Sequence, residues 1–185
     1  MCEIPPSGLI VANEILFDPP DDAAGDANCD GVRDASDDEF VEIVNDALTS
    51  ADLSGATLSD NVSIRHTFAD GTTIGPKGVI VIFGGGTPTF DGTGPGEWCN
   101  AIPSSVYMDV ASSGSLGLNN GGDTITLTLA DGTEVFSVLV DPQLTNLDQS
   151  VVRSPELTGV WAVHGDVADS IGNFSPATRV NGTNF

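Results

Sequence analysis

The sequence predicts an all-β sandwich, and three observations carry that prediction. Short runs rich in β-branched and aromatic residues recur along the chain, separated by turn residues. Glycine (22) and proline (11) are plentiful for 185 residues, which suits a turn-rich β domain. No segment carries the apolar periodicity of a helix; Asp37–Asp46 comes nearest and reads better as loop followed by strand.

Taken in order, residues 1–8 read as a linker and 9–185 as one domain, since the length suits a single well-formed core. Leu9–Phe17 is a strand stopped by Asp18-Pro19-Pro20. An acidic loop follows, then a strand over Glu39–Asn45. Leu53–Asp60 is a short strand with Leu53 and Leu58 inward, and Ile64–Phe68 precedes the Asp70-Gly71 turn. Val79–Phe83 is uniformly apolar, the mark of a central strand. Residues 84–117 form a long Gly/Ser/Pro-rich excursion holding Trp98 and Cys99, and a loop of that length is usually functional, bridged or mobile. The clearest hairpin comes next. Thr124, Thr126 and Thr128 alternate outward with Ile125, Leu127 and Leu129 inward, Asp131-Gly132 reads as a type I′ turn, and Glu134–Val140 returns. Beyond it, Val160–His164 is the one strand expected in an otherwise irregular strap, 141–185. About eight short strands with polar turns indicate a sandwich.

The acidic loop carries the strongest chemical signal. In Asp26-Ala-Asn-Cys-Asp-Gly-Val-Arg-Asp-Ala-Ser-Asp37, oxygen-bearing side chains fall at loop positions 1, 3, 5, 9 and 12, with glycine at 6. A hard cation such as calcium takes six to eight oxygen ligands, and this spacing wraps them around one point. Asp26, Asn28, Asp30 and Asp37 are the expected side-chain ligands, Val32 would offer its carbonyl, and Asp34 would bind directly or through water. Gly31 supplies the sharp turn. Aspartate at position 12, where sensors carry glutamate, and strands rather than helices on either side point to one structural ion that staples a loop between two strands. A solvated acidic loop is the bland alternative, and the filled ligand positions weigh against it.

Net charge is −22, which disfavours contact with nucleic-acid phosphates. Eleven of the 27 acids lie between Glu14 and Glu42, with Arg33 the only base among them, so a cation there would relieve self-repulsion. No apolar run approaches the roughly 20 residues a membrane-spanning helix needs. Cys2, Cys29 and Cys99 contain no C-x-x-C pair, which argues against zinc. One disulfide and one odd cysteine is the natural count for an exported protein. The favoured pair is Cys29–Cys99, closing a loop worth about 4 kcal/mol in the chain-entropy model; Cys2–Cys99 with Cys29 free is the alternative. Cys2, ahead of a Pro/Ser/Gly stretch, also has the placing of a lipoprotein anchor.

Asn13-Glu14-Ile15, Glu39-Phe-Val-Glu-Ile-Val-Asn45, Leu53-Ser-Gly-Ala-Thr-Leu-Ser-Asp60, Phe68–Ile74 with Gly78–Ile82, and Leu118–Leu127 form a succession of segments that resembles the lamin-tail domain. Arg153-Ser-Pro155 and Phe174–Gly182 resemble the end of its bacterial, secreted branch, in which a calcium insertion between the first two strands also occurs. Coverage is about Leu9–Phe185. The resemblance implies an immunoglobulin-like antiparallel β-sandwich, with the calcium loop between early strands, used as a non-catalytic module. Two positions depart from the pattern: Ala56 stands where tryptophan is common, so that Trp98 or Trp161 would fill the space, and Ala177 replaces a frequent glycine. Nuclear-envelope roles do not carry over, because no rod or nuclear-targeting segment is present. The loop alone also resembles a dockerin repeat, but dockerins pair two such loops with helices.

Catalytic signatures are missing: no H-E-x-x-H, no G-x-S-x-G, and Gly84-Gly85-Gly86 lacks the lysine of a P-loop. His66 and His164 are expected in surface or hydrogen-bonded structural roles. Glu14, Glu39 and Glu42 alternate as solvent-facing strand residues or as outer partners of the ion. Phe90, Trp98 and Tyr107 could form an aromatic platform for a sugar or protein, or plug a sandwich end. The function expected is a calcium-stabilised structural or interaction module, secreted or at a cell surface, whose partner is a protein or surface polymer. An accessory domain on a secreted hydrolase or nuclease is the alternative.

Overall fold

The computed structural model of the protein describes residues 9–103 and 105–185, so the linker 1–8, and with it Cys2, lies outside the described residues. Twelve strands and three short 3-10 turns occur in chain order, with no α-helix among the described residues. The strands are β1 (Ile10–Leu16), β2 (Phe40–Asn45), β3 (Ala51–Asp52), β4 (Thr57–Ser59), β5 (Ile64–Thr67) and β6 (Thr73–Ile74). After them come β7 (Val79–Phe83), β8 (Val106–Val110), β9 (Thr124–Thr128), β10 (Glu134–Leu139), β11 (Val151–Ser154) and β12 (Val160–Val163). A six-stranded sheet runs β12-β11-β1-β2-β7-β8 and a four-stranded sheet runs β10-β9-β4-β5, with β3 and β6 pairing separately. This is the immunoglobulin-like β-sandwich that the strand pattern and the resemblance lead one to expect.

Period-2 alternation explains the layers. Ile10, Ile15, Val41, Ile43, Ile80 and Ile82 of the larger sheet meet Leu58, Ile125 and Leu127 of the smaller in the inner core. The intervening residues Leu16, Phe40, Val44, Val79, Val81 and Phe83 point the other way and build a second apolar layer with Ala27, Phe174 and Ala177. The larger sheet is therefore covered on both faces, by the smaller sheet on one side and by loops on the other. That is why Val79–Phe83 is apolar throughout and wholly buried.

Four expectations need correction. Residues 84–117 are not all irregular: Val106–Val110 forms β8, among the described residues the one strand that joins its neighbour (β7) in parallel. A parallel join requires a long crossover, and that excursion is the crossover. The strap 141–185 contains β11 as well as β12, because Val151 and Val152 pair with Ile15 and Glu14 at the edge of β1. The hairpin turn is not type I′. Only Gly132 has positive φ (87°), its N–H reaches the Leu129 carbonyl at 2.9 Å, and Leu129 N–H reaches Thr133. Ala130 joins the loop, and a three-residue connection needs one left-handed residue rather than two. Finally, Glu14, Glu39 and Glu42 do not face solvent, being 0%, 5% and 0% exposed.

The two departures from the family pattern acquire physical content. Ala56 is buried in the inner core, and of the two tryptophans only Trp161 borders that core, with Arg153 lying 4.3 Å over its ring. Ala177 sits at φ 73°, the left-handed region that glycine enters without cost. Its N–H donates to Glu42 Oε2 at 2.8 Å, a bond that holds the alanine in this conformation.

Candidate metal centre

The loop between β1 and β2 is folded by its own side chains. A 3-10 turn, Asp22–Gly25, brings Gly25 so close to the Pro20 carbonyl that a Cβ would overlap it. Arg33 anchors the far side by donating to the Pro19 and Pro20 carbonyls. Between these points Gly31 turns at φ 87°. Asp26 Oδ1 accepts from Asp30 N–H and Oδ2 from Gly31 N–H, at 3.1 and 3.0 Å. Asn28 Oδ1 also accepts from Asp30 N–H, and Asp30 Oδ1 from Val32 N–H. Asp34 Oδ1 takes the N–H groups of Ser36 and Asp37.

The carboxylates converge in two overlapping groups. Burial raises the Asp26 pKa, and the neighbouring Asp30 charge adds to the rise. Burial likewise raises Asp37, followed by the charges of Asp34 and Asp30. Opposite them lies the Gly84-Gly85-Gly86 turn that follows β7. A Cβ on Gly85 would stand 2.2 Å from Asp37 Oδ1, and one on Gly86 would clash with Asn28 Nδ2 and Asp30 Oδ2. Asn28, Asp30 and Asp37 thus meet over two glycines. Asp26 and Asn28 are buried, Asp30 and Asp37 half-buried, Asp34 exposed and Val32 65% exposed. No three Asp, Glu, His or Cys side chains among the described residues form a ready-made metal cluster. Asp26, Asn28, Asp30 and Asp34 spend side-chain oxygens on backbone N–H groups of the loop.

Asp38 escaped the sequence reading. It is fully buried and spans the loop, with Oδ1 accepting from Asn28 N–H at 3.0 Å and Oδ2 from Asp34 N–H at 2.7 Å. Burial pushes its pKa to about 6. The signal was the doubled Asp37-Asp38, of which a ligand pattern uses one. The glutamates are similarly occupied. Glu14 accepts from Ser150 Oγ, Ser175 N–H and Ser175 Oγ, while Glu42 accepts from Asn13 Nδ2 and Ala177 N–H. Burial drives Glu42 well above the usual carboxylate range, and the adjacent Glu14 charge reinforces this. These groups tie the strap, not an ion, to the outer face of the sheet. On the inner face, Glu39 accepts from Leu118 N–H, and burial lifts its pKa to about 8.

Cys29 and Cys99 are joined by a disulfide, with Cα atoms 5.6 Å apart. It binds the acidic loop to the 3-10 turn Glu97–Cys99, and Trp98 Nε1 donates to the Asp26 carbonyl at 3.1 Å beside it. The aromatic trio does not form one platform. Phe90 rests against Phe83 and Trp98 against Phe174 in the outer layer, with centroids 6.0 and 4.9 Å apart. Tyr107 points from the opposite face of β8, 38% exposed, its hydroxyl donating to Asp109. His66 and His164 are buried, the first bonded through Nδ1 to the Val110 carbonyl and the second through Nε2 to Ser175 Oγ. Burial lowers the pKa of His66.

The family model for the Lamin Tail Domain matches residues 4–141 of this chain. No curated protein matches it.

Proposed function

The chain belongs to the lamin tail domain family, and from that premise we propose that it is a calcium-stabilised interaction module of a secreted or cell-surface protein. The observation that supports the reading is the meeting of Asn28, Asp30 and Asp37 at Gly85 and Gly86, with Asp26 beside Asp30 and Asp34 beside Asp37. Asp26, Asn28, Asp30, Asp34 and Asp37 would hold the ion through side-chain oxygen, with Val32 contributing its carbonyl. Bound calcium would supply positive charge to carboxylates that otherwise repel one another. The protein's part is to hold those oxygens together. Asp38 ties the two halves of the loop, Gly31 turns it, and the Cys29–Cys99 bridge fastens it to the crossover.

The same organisation supports a non-catalytic role. Both imidazoles are engaged within the fold, and the buried glutamates hold backbone and hydroxyl groups in place. A disulfide beside a strongly acidic surface favours an oxidising, exported setting. Thermal unfolding with calcium and with EDTA tests the reading. At free calcium 100-fold above its Kd, the ion would add about 2.7 kcal/mol, so chelation lowers Tm clearly. Asp26→Ala and Asp30→Ala melt low in either condition. Coincident melting curves for the wild type with calcium and EDTA would refute the structural ion.

A further inference from the structure

Over the outer face of the larger sheet, residues 97–103 and the strap end 171–184 enclose a cleft of about 390 Å³. That lies within the range of about 300–1,000 Å³ usual for small-molecule sites. Its base is apolar, formed where Trp98 meets the edge of Phe174, and Ile171, 51% exposed, stands at its lip. Its rim is polar and almost uncharged. Asn100, Asn181 and Asn184 are exposed around it, and Glu97 is the single charged residue in its lining. Among the described residues the amides of Asn100 and Asn184 have no hydrogen-bond partner, whereas Asn181 Oδ1 is used by Thr183.

Charge restricts what such a cleft can take. All five basic side chains of the protein are committed elsewhere: Arg33 to carbonyls, Arg65 to Asp60, Lys77 to Asp46, Arg153 to carbonyls and Trp161, and Arg179 to Glu156. An anionic ligand would meet no free cation on a molecule of charge −22. A metal cation would find one exposed carboxylate. Carboxamides offer two donors and an acceptor each, which complement paired hydroxyls, and an aromatic base accepts the C–H face of a ring. A neutral, hydroxyl-rich ring satisfies both at once. We propose that this cleft binds a neutral saccharide, the repeating unit of a surface polymer. The proposal rests on the interaction reading above but not on the ion. Both walls are already set, one by the Cys29–Cys99 bridge and the Trp98–Asp26 bond, the other by backbone bonds from Ile171 to Val180 and from Gly182 to Arg179. Binding would therefore cost little ordering.

The test is titration of the full ¹⁵N-labelled chain, in calcium, with cellotriose, N-acetylchitotriose and the anionic 3′-sialyllactose, read by amide and indole resonances and by calorimetry. A neutral trisaccharide should shift the Asn100 and Asn184 side-chain amides and the Trp98 indole N–H saturably. Asn100→Ala and Asn184→Ala, both exposed and without a side-chain hydrogen bond among the described residues, should each weaken binding by roughly three- to tenfold, the worth of one neutral hydrogen bond, with Tm unchanged. Resonances unmoved by every sugar, variants that bind as tightly as the wild type, or tighter binding of the sialylated sugar would each overturn the proposal. If the sugars fail while chelation still lowers Tm, the saccharide is wrong and the calcium-stabilised module stands.

Discussion

The two faces of the six-stranded sheet are built from the same strands and held by different chemistry. Toward the smaller sheet, Ile15, Ile43, Ile80, Leu58 and Leu127 meet in a layer of regular strands whose cohesion is apolar burial. On the reverse face, Phe40, Val81 and Phe83 share their layer with Glu14, Glu42 and the acidic loop, under a cover of irregular chain. There a disulfide, carboxylate-to-backbone bonds and the proposed ion do what strand pairing does on the inner side. The contrast shows why a chain with one strong sandwich core also carries so many buried acids. Glu14, Glu42 and Asp38 are attachment points of a loop layer that cannot hydrogen-bond as a sheet.

Two large effects are expected, one from each side of the sheet. Cys29→Ser with Cys99→Ser should cost about 4 kcal/mol by the chain-entropy argument, measured by denaturant unfolding. Leu127→Ala, in the inner core, should cost about 2–5 kcal/mol, with the same loss in calcium and in EDTA. Glu14→Ala should cost about 1–3 kcal/mol, because the buried Ser175 N–H loses its acceptor, and strap peptides should gain hydrogen exchange before inner strands do. Ala177→Gly should fall within about 1 kcal/mol of the wild type, since relief of the left-handed Cβ offsets lost methyl burial and added chain entropy. Ala177→Val should be plainly worse.

Acidity sharpens the comparison on the inner side. Glu39 is lifted by burial from 4.5 to about 8. Between those values the folded state holds a proton that the unfolded state has released, so stability falls as pH rises. The contribution of the protonated carboxyl is fully present below about 4.5 and gone once pH passes about 8. Glu39→Gln should flatten that slope in urea titrations at a series of pH values. Calcium ligands must be deprotonated, so ion-dependent stabilisation should grow with pH. The ion's sign is opposite to that of Glu39, and also to that of Asp38 and Glu42, whose pKa values burial raises on the outer side.

How much of this could be read in advance depended on which face a residue served. The β9–β10 hairpin and β7 were legible because inward apolar residues met either alternating threonines or an unbroken apolar run. The acidic loop stood out by the spacing of its oxygen-bearing residues, and the disulfide joins the pair that the sequence favoured, Cys29 and Cys99. The outer layer hid the rest. Alternating glutamates ordinarily mean solvent, and nothing local reveals that Ser175 and Ala177, far along the chain, will cover Glu14 and Glu42. β8 was masked by its Gly/Ser/Pro-rich surroundings and takes its strand form from pairing with β7. Tyr107 could not be separated from Phe90 and Trp98 without knowing which side of β8 it leaves.

Hydrogen exchange followed by mass spectrometry, on one sample in calcium and one in EDTA, tests most directly whether a loop-bound ion organises the outer layer. The account predicts that chelation strips protection from peptides covering 26–38, 84–100 and 171–182, while 57–67 and 124–139 of the smaller sheet stay protected. Equal protection of the loop peptides in both samples, or a uniform loss across both sheets, would contradict it.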